Sequence, residues 1–165
     1  VSTKEFLSQE YLELMILREV TDFTELHLGG LKAMGVDFSK AFFNNTNLNG
    51  VDFRQSKFCK RKDVFIDCMM LDTIFKSCDL SHVGFSLNRM NRSDFKGADL
   101  TSANFYRCEV RDAIFNNATL KNAVFKECEL GNINFSTASS LEGTSFINCT
   151  LGGVTVATTK LLKLG

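Results

Sequence analysis

The apolar positions of this chain recur every fifth residue. In "SDFKGADLTSANFYRCEV" (93–110) they are Phe95, Leu100, Phe105 and Val110. A spacing of five matches neither the 3.6-residue period of a helix nor the two-residue period of a strand. The rule holds unbroken through Phe65, Met70, Phe75, Leu80, Phe85, Met90, Phe95, Leu100, Phe105, Val110, Phe115, Leu120, Phe125, Leu130 and Phe135. Two residues before each centre is usually something small, such as Cys78, Ser93, Ala98, Ala103, Cys108 or Ala113. The residue between is often Asp or Asn, as in Asp79, Asp94, Asp99 and Asn104.

The pattern extends outward with two slips. Phe38, Phe43, Leu48, Phe53 and Phe58 keep the spacing, and Phe23, Leu28 and Ala33 follow it less well. Two extra residues then fall within "CKRKDV" (59–64), and one within "STASSL" (136–141). The centres resume at Leu141, Phe146, Leu151, Val156 and Leu161.

In an extended segment residues i and i−2 point the same way. Each five-residue unit can therefore send one small and one large residue inward, while the other three make the surface and the corner. No unit buries its apolar pair alone, but stacked coils do. Phe alternates with another apolar residue, and the non-Phe centres alternate again between Met70, Met90, Val110 and Leu80, Leu100, Leu120. That period of twenty suits a four-sided coil, which stacks like on like; a three-sided coil would mix Phe with Leu on every face. The sequence therefore predicts an all-β, four-sided β-helix (solenoid) of about seven coils, roughly 34 Å long at ~4.8 Å per coil. Two opposing ladders should fill it. One is Phe65, Phe85, Phe105, Phe125 and Phe146; the other is Phe75, Phe95, Phe115 and Phe135.

The units "ADLTS", "ANFYR", "CDLSH" and "SDFKG" resemble the pentapeptide-repeat family, over about residues 21–161. The resemblance implies a right-handed quadrilateral β-helix. It implies little about function, because the motif residues are structural.

A rod of coils needs capped ends. Residues 3–19 read as an N-terminal capping helix, with Ser2 and Glu5 as a capping box and Leu7, Tyr11, Leu14 and Leu17 near helical spacing. The expected organisation is a capping helix at 1–20 and a repeat β-helix at 21–165, one domain overall. "TTKLLKLG" (158–165) reads as a small cap or as the cut end of a longer chain. The start at Val1, not Met, also suggests a fragment or a processed chain. The slip at 59–64 carries Lys57, Lys60, Arg61 and Lys62 nearby, which reads as a solvated loop or as a contact for an acidic partner.

Composition narrows the function. There are 16 Phe, no Trp and no Pro in 165 residues, and the 19 basic and 19 acidic residues cancel. Zero net charge argues against nucleic acid as a partner, and against a strongly acidic DNA-mimicking surface. No apolar run approaches a membrane span, and no signal peptide opens the chain. Five of the six cysteines (Cys68, Cys78, Cys108, Cys128 and Cys149) take the small inward position. Four of them share one face, where Asn88 is the missing rung and should need hydrogen-bond partners. Buried Cys packs as a small apolar residue, and thiols in that number suit a reducing, cytoplasmic compartment. No nucleophile–base pair, phosphate loop or metal-ligand spacing appears, so neither catalysis, cofactor nor metal is expected.

One face is unusual. Phe42, Val64, Ile66, Leu87, Tyr106, Val124 and Ile147 point outward there, with Met69 and Leu71 round the adjoining corner. Exposed apolar groups in such concentration mark a protein-binding surface, unless another part of the chain or a second copy covers them. The leading expectation is a non-enzymatic protein-interaction or scaffold module. It could belong to a larger bacterial effector, since the resembled family includes secreted effectors. The alternative is the topoisomerase-protecting, DNA-mimicking branch of that family, which the charge balance disfavours.

Overall fold

The structure, a computed structural model, describes residues 6–157. The chain winds into a parallel coil with one five-residue unit per side. Bridges on all four sides link residues twenty apart: Asp22 to Phe42, His27 to Asn47, Lys32 to Asp52, and Asp37 to Lys57. We number the sides in chain order. The first carries centres Phe23 to Phe146, the second Leu28 to Leu151, the third Ala33 to Val156, and the fourth Phe38 to Leu141. β1 (Asp37–Phe38) and β3 (Lys57–Phe58) pair on the fourth side. The first side is a parallel six-stranded sheet of β2 (Phe43–Asn44), β4 (Phe65–Ile66), β5 (Gly84–Ser86), β6 (Asn104–Tyr106), β7 (Val124–Lys126) and β8 (Ser145–Ile147). Seven ring rungs, Phe23 to Phe146, span about six turns of the coil.

Each part of the unit has a physical task. The residue before the centre donates to the coil behind, as Asp94 N–H does to Thr73 C=O (2.9 Å), and the centre to the coil ahead, as Phe95 N–H does to Ile114 C=O (2.8 Å). The Asp or Asn before the centre also accepts the N–H two residues on, as Asp94 does from Lys96 (3.0 Å) and Asp99 from Thr101 (2.9 Å). That Asx turn starts the corner. The small inward residue is often Ser, Thr or Cys because its side chain donates to a centre's carbonyl one coil back. Ser93 reaches Met70 C=O (2.8 Å) and Cys78 reaches Phe53 C=O (2.9 Å). Two residues after the centre the backbone turns left-handed, as at Asp67, Asp72, Ser77 and His82 (φ 52–61°). This conformation costs an ordinary L-residue about 1–2 kcal/mol, and Gly, Asn or Asp less.

The core is a stack of rings. On the first side Phe85, Phe105 and Phe125 lie parallel with centroids 4.7 and 4.5 Å apart. On the third side Phe75, Phe95 and Phe115 repeat at 5.2 and 5.1 Å. Across the core the ladders meet edge to face, as Phe85 meets Phe95 at 6.3 Å. Both ladders run further than the sequence suggested, the first to Phe43 and Phe23, the third to Phe53. A further stacked pair, Phe38 on Phe58 (5.4 Å), fills the fourth side near the N-terminus, where later coils use Leu. Phe146 continues the first ladder at 5.3 Å but is only half-buried.

The slips fall where the spacing placed them. Phe43 pairs with Phe65, and Phe125 with Phe146, steps of twenty-two and twenty-one residues. A short 3-10 turn, Phe135–Thr137, absorbs the single extra residue.

The N-terminal helix is shorter than expected. α1 spans Gln9–Leu17, and its N-cap is Ser8, whose Oγ accepts from Tyr11 N–H (3.2 Å). Phe6 instead bridges His27 in the coil manner. The suggested capping pair Ser2 and Glu5, and the segment 158–165 with Leu161, lie outside the described residues. A left-handed Glu19 ends the helix, with Glu19 N–H on Ile16 C=O and Val20 N–H on Met15 C=O, both 3.0 Å. That is a Schellman closure made without glycine. The inward stripe is Leu12 with Met15 and Ile16 packed beside it, while Tyr11, Leu14 and Leu17 face solvent. Two apolar stripes compete on this helix, and the i, i+3, i+4 set won.

Truncating Phe105 removes a ring held between two parallel neighbours. Phe105→Ala should cost about 3–5 kcal/mol. Denaturant unfolding measures this, and a loss below about 1 kcal/mol would contradict the stacked core.

Candidate interaction surface

The outward positions of the first side were the candidate surface, and the structure divides them. Val64 is fully buried, contrary to its expected exposure. The cause is the two-residue slip, which folds back over this side. Arg61 C=O accepts Gly84 N–H (2.8 Å), and the Lys62 backbone lies so close that a Cβ on Gly84 would meet Lys62 O at 1.9 Å. The Arg61 guanidinium stands over the Phe42 ring at 5.8 Å and is fixed by two 2.6 Å bonds to Asp63. Those bonds hold the Asp63 carboxyl below the usual range. The bulge is thus docked on the rod through its backbone while Lys60, Arg61 and Lys62 stay exposed.

Phe42, Ile66, Leu71, Tyr106 and Val124 are half-buried, and Met69, Leu87 and Ile147 are exposed. Arg107 and Lys126 stand over Tyr106 at 5.1 and 5.8 Å, and Arg107 is paired with Glu127 (2.6 Å). What stays open is the corner between the first and second sides: Ile66, Leu87, Met69 and Leu71. Around it run exposed ion pairs between successive coils, Arg92–Asp72 (2.8 Å) and Arg111–Glu129 (2.6 Å). Each such pair stabilises little, and together they leave the rim near neutral.

Leu87 sits in the left-handed corner position at φ 60° and is 49 % exposed. Among the described residues it is the only apolar side chain at a left-handed position; the others are Gly, polar or charged.

Two family models match the chain. One, described as a pentapeptide repeat region, covers residues 36–115; the other, pentapeptide repeats in eight copies, covers 103–139 and 113–156. The chain belongs to the pentapeptide-repeat family. A comparison with curated protein sequences gave no match. Solved pentapeptide-repeat structures share the repeat. QnrB1, a plasmid-mediated fluoroquinolone resistance protein, is 15 % identical over 85 % of this chain and 79 % of its own, with a TM-score of 0.43. Rfr23 of the cyanobacterium Cyanothece is 15 % identical over 90 % and 99 %, at 0.33. HetL of the cyanobacterium Nostoc, involved in heterocyst differentiation regulation, is 14 % identical over 91 % and 94 %, at 0.29.

In this pentapeptide-repeat chain the cysteines pack as the sequence suggested. Cys68, Cys78, Cys108 and Cys128 are buried, while Cys59 and Cys149 are half-buried. Burial raises the Cys68 thiol to about 11 and Cys78 to about 12, which suppresses the thiolate. Asn88 completes their ladder with both amide groups used. Its Nδ2 donates to Phe65 C=O (2.9 Å) and its Oδ1 accepts from Cys68 N–H (2.8 Å). His82 is exposed, and His27 is half-buried with its ring edge-on to Phe6 at 5.2 Å. Among the described residues no group of three His, Cys, Asp or Glu is arranged to hold a metal ion. Nor is any helix there long and apolar enough to cross a membrane. The interior of the described coils is packed with apolar side chains.

Sequence reasoning missed Gly84. Its signal was present: a glycine replaces the usual Asp or Asn before a centre, one coil beyond a two-residue insertion. It also missed the outer stripe of α1, where Tyr11, Leu14 and Leu17 are 51 %, 39 % and 80 % exposed.

Two substitutions test this surface. Gly84→Ala puts a methyl into the Lys62 backbone and should lift the bulge, at about 1–3 kcal/mol. Limited trypsin digestion should then cut at Lys60–Lys62 faster than in the unaltered chain; equal rates would contradict the docking. Leu87→Asn relieves an unfavourable left-handed leucine and should raise stability by about 1 kcal/mol in denaturant unfolding.

Proposed function

We propose that this pentapeptide-repeat chain is a non-enzymatic protein-interaction module, the β-helix part of a bacterial secreted effector acting in a cytoplasm. Its binding surface is the open corner formed by Ile66, Met69, Leu71 and Leu87, flanked by Phe42 and Tyr106. The bulge and the Arg107–Glu127 pair shape its edges, and Val64 supports it from beneath.

Leu87 carries this reading. A leucine left half exposed gains less from burial than one in the core, and a left-handed one costs stability that Asn or Gly would save. Strain of that kind, kept at an exposed position, belongs at functional sites. Among the described residues the interior offers no polar cleft, because Phe rings and aliphatic side chains such as Leu fill it from coil to coil. Cations and anions are interleaved over the sides in eleven ion pairs among the described residues, which favours a protein partner over a DNA-mimicking role.

A pull-down from bacterial and eukaryotic lysates tests the proposal, using the chain, an Ile66→Asp, Met69→Asp double variant and Leu87→Asn. A partner held by the chain and lost by both variants is the expected result, with its source deciding the effector context. Retention by both folded variants would remove this corner as the site. Capture of DNA gyrase would favour the topoisomerase reading.

A further inference from the structure

The first described coil, residues 22–41, presents an edge towards α1, and the chain covers that edge on its second and third sides. On the second side Leu7 N–H donates to His27 C=O (3.0 Å). On the third side a side chain does the work of a strand. Gln9 Oε1 accepts Lys32 N–H and its Nε2 donates to Lys32 C=O, both at 2.9 Å. The fourth side has no such cover. One coil on, Lys57 N–H bonds Val36 C=O (3.1 Å), but the equivalent Asp37 N–H has no acceptor among the described residues. The Asp37 and Ser39 carbonyls, turned to the same edge, have no donor there. Here the chain runs as α1 and its Schellman closure, whose N–H groups bond helical carbonyls and not the Asp37–Ser39 edge.

The bare edge borders a groove of about 400 Å³. Phe23, Phe38 and Ala41 form its floor, and Ile16, Val20 and Val36 its walls. Beyond the wall made by Ile16 and Val36 lie Leu17, 80 % exposed, and Met34, 49 % exposed. The rim pair Lys40–Glu19 is loose, at 3.9 Å with both side chains in solvent.

We propose that the Asp37–Ser39 edge binds an extended peptide segment of a partner protein, which adds as one more parallel rung. The unsatisfied groups are peptide N–H and C=O in strand register, so their complement is another peptide backbone. The fourth side also states which side chains fit. Asp37 pairs with Lys57 in the adjoining rung (2.8 Å), and Lys57 is followed by Asp79. Continuing that alternation puts a cation opposite Asp37. Small residues flank on one side, as at Val36 and Ser56, and an apolar residue follows, as at Phe38 and Phe58. The segment sought is small–basic–apolar, its apolar side chain in the groove. This surface is separate from the Leu87 corner and stands without it.

The probe is a fluorescent peptide copying residues 54–60 with Cys59→Ser, which carries the β3 pattern that already pairs with β1. Fluorescence anisotropy should show saturable binding in the submillimolar range. Asp37→Pro and Asp37→Ala both lose the carboxylate that meets Lys57 and Ser39 N–H; the proline alone also removes an N–H that has no partner among the described residues, at an edge where proline is tolerated. Asp37→Pro should weaken binding at least about five-fold, the equivalent of one hydrogen bond. Asp37→Ala, which keeps the N–H, should weaken it less, and both variants should melt alike. Hydrogen exchange guards against a misfolded proline variant. In the unaltered chain, peptide should slow exchange at the Asp37 amide about ten-fold and leave Phe105 unchanged. No saturation at millimolar peptide, equal binding by the Pro and Ala variants, or an unprotected Asp37 amide would overturn the proposal. So would a proline-sensitive dimer that forms without peptide, which would make the occupant a second copy.

Discussion

A backbone bond such as Phe95 N–H to Ile114 C=O closes only when successive coils are in parallel register. Every side of the rod depends on that condition. It places each residue over its counterpart about twenty positions away, so a choice made once must be compatible with itself. Aromatic rings satisfy this well, because parallel displaced faces at 4.5–5.4 Å pack without voids. Charges satisfy it only by alternating, which is why Arg107 meets Glu127 and Lys57 meets Asp37 across neighbouring rungs. A buried polar side chain must find partners within its own ladder, as Asn88 does.

Register also explains why the fold was legible. A period of five within a period of twenty is a direct image of sides and coils, and the slips showed as breaks of known size. The inward ladders followed from it, as did the Asn88 requirement for partners. What register does not encode stayed hidden. The left-handed corner is a backbone property that Asp, Ser, His and Leu all accept at different cost, so no single residue type announces it. Val64 has the pattern of an outward residue, and only the folded-back path of 59–63 buries it. Gln9 gives no sign in sequence that its amide will replace a strand. In α1 the two apolar stripes are alike in composition, and the shape of the coil end decided between them.

The same constraint limits where binding can occur. Main-chain groups along the sides are consumed by the neighbouring coils, and the interior is filled. Three kinds of place are left: outward side chains, interruptions and ends. The candidate corner combines the first two, since the bulge covers Val64 and frames the neighbouring open positions. Asp63 and Arg61 fix that frame with a planar ion pair, and Gly84 supplies the gap into which the backbone settles.

The ends obey a different rule. Inside the rod a peptide group meets its own kind on both flanks, but at an end one flank is bare and must be closed by something else. This chain uses two devices for that, a short bridge at Phe6–His27 and the carboxamide of Gln9, and applies them to adjacent sides. Both arise from residues just before or at the start of α1. The chain passes the fourth side as a helix, and its Schellman closure spends the N–H groups of Glu19 and Val20 on helical carbonyls. The fourth side therefore lacks a cover because the nearest backbone is already committed to ending the helix. Among the described residues, capping the rod with a helix leaves the Asp37–Ser39 edge unpaired, beside the apolar groove that Ile16 and Val20 wall.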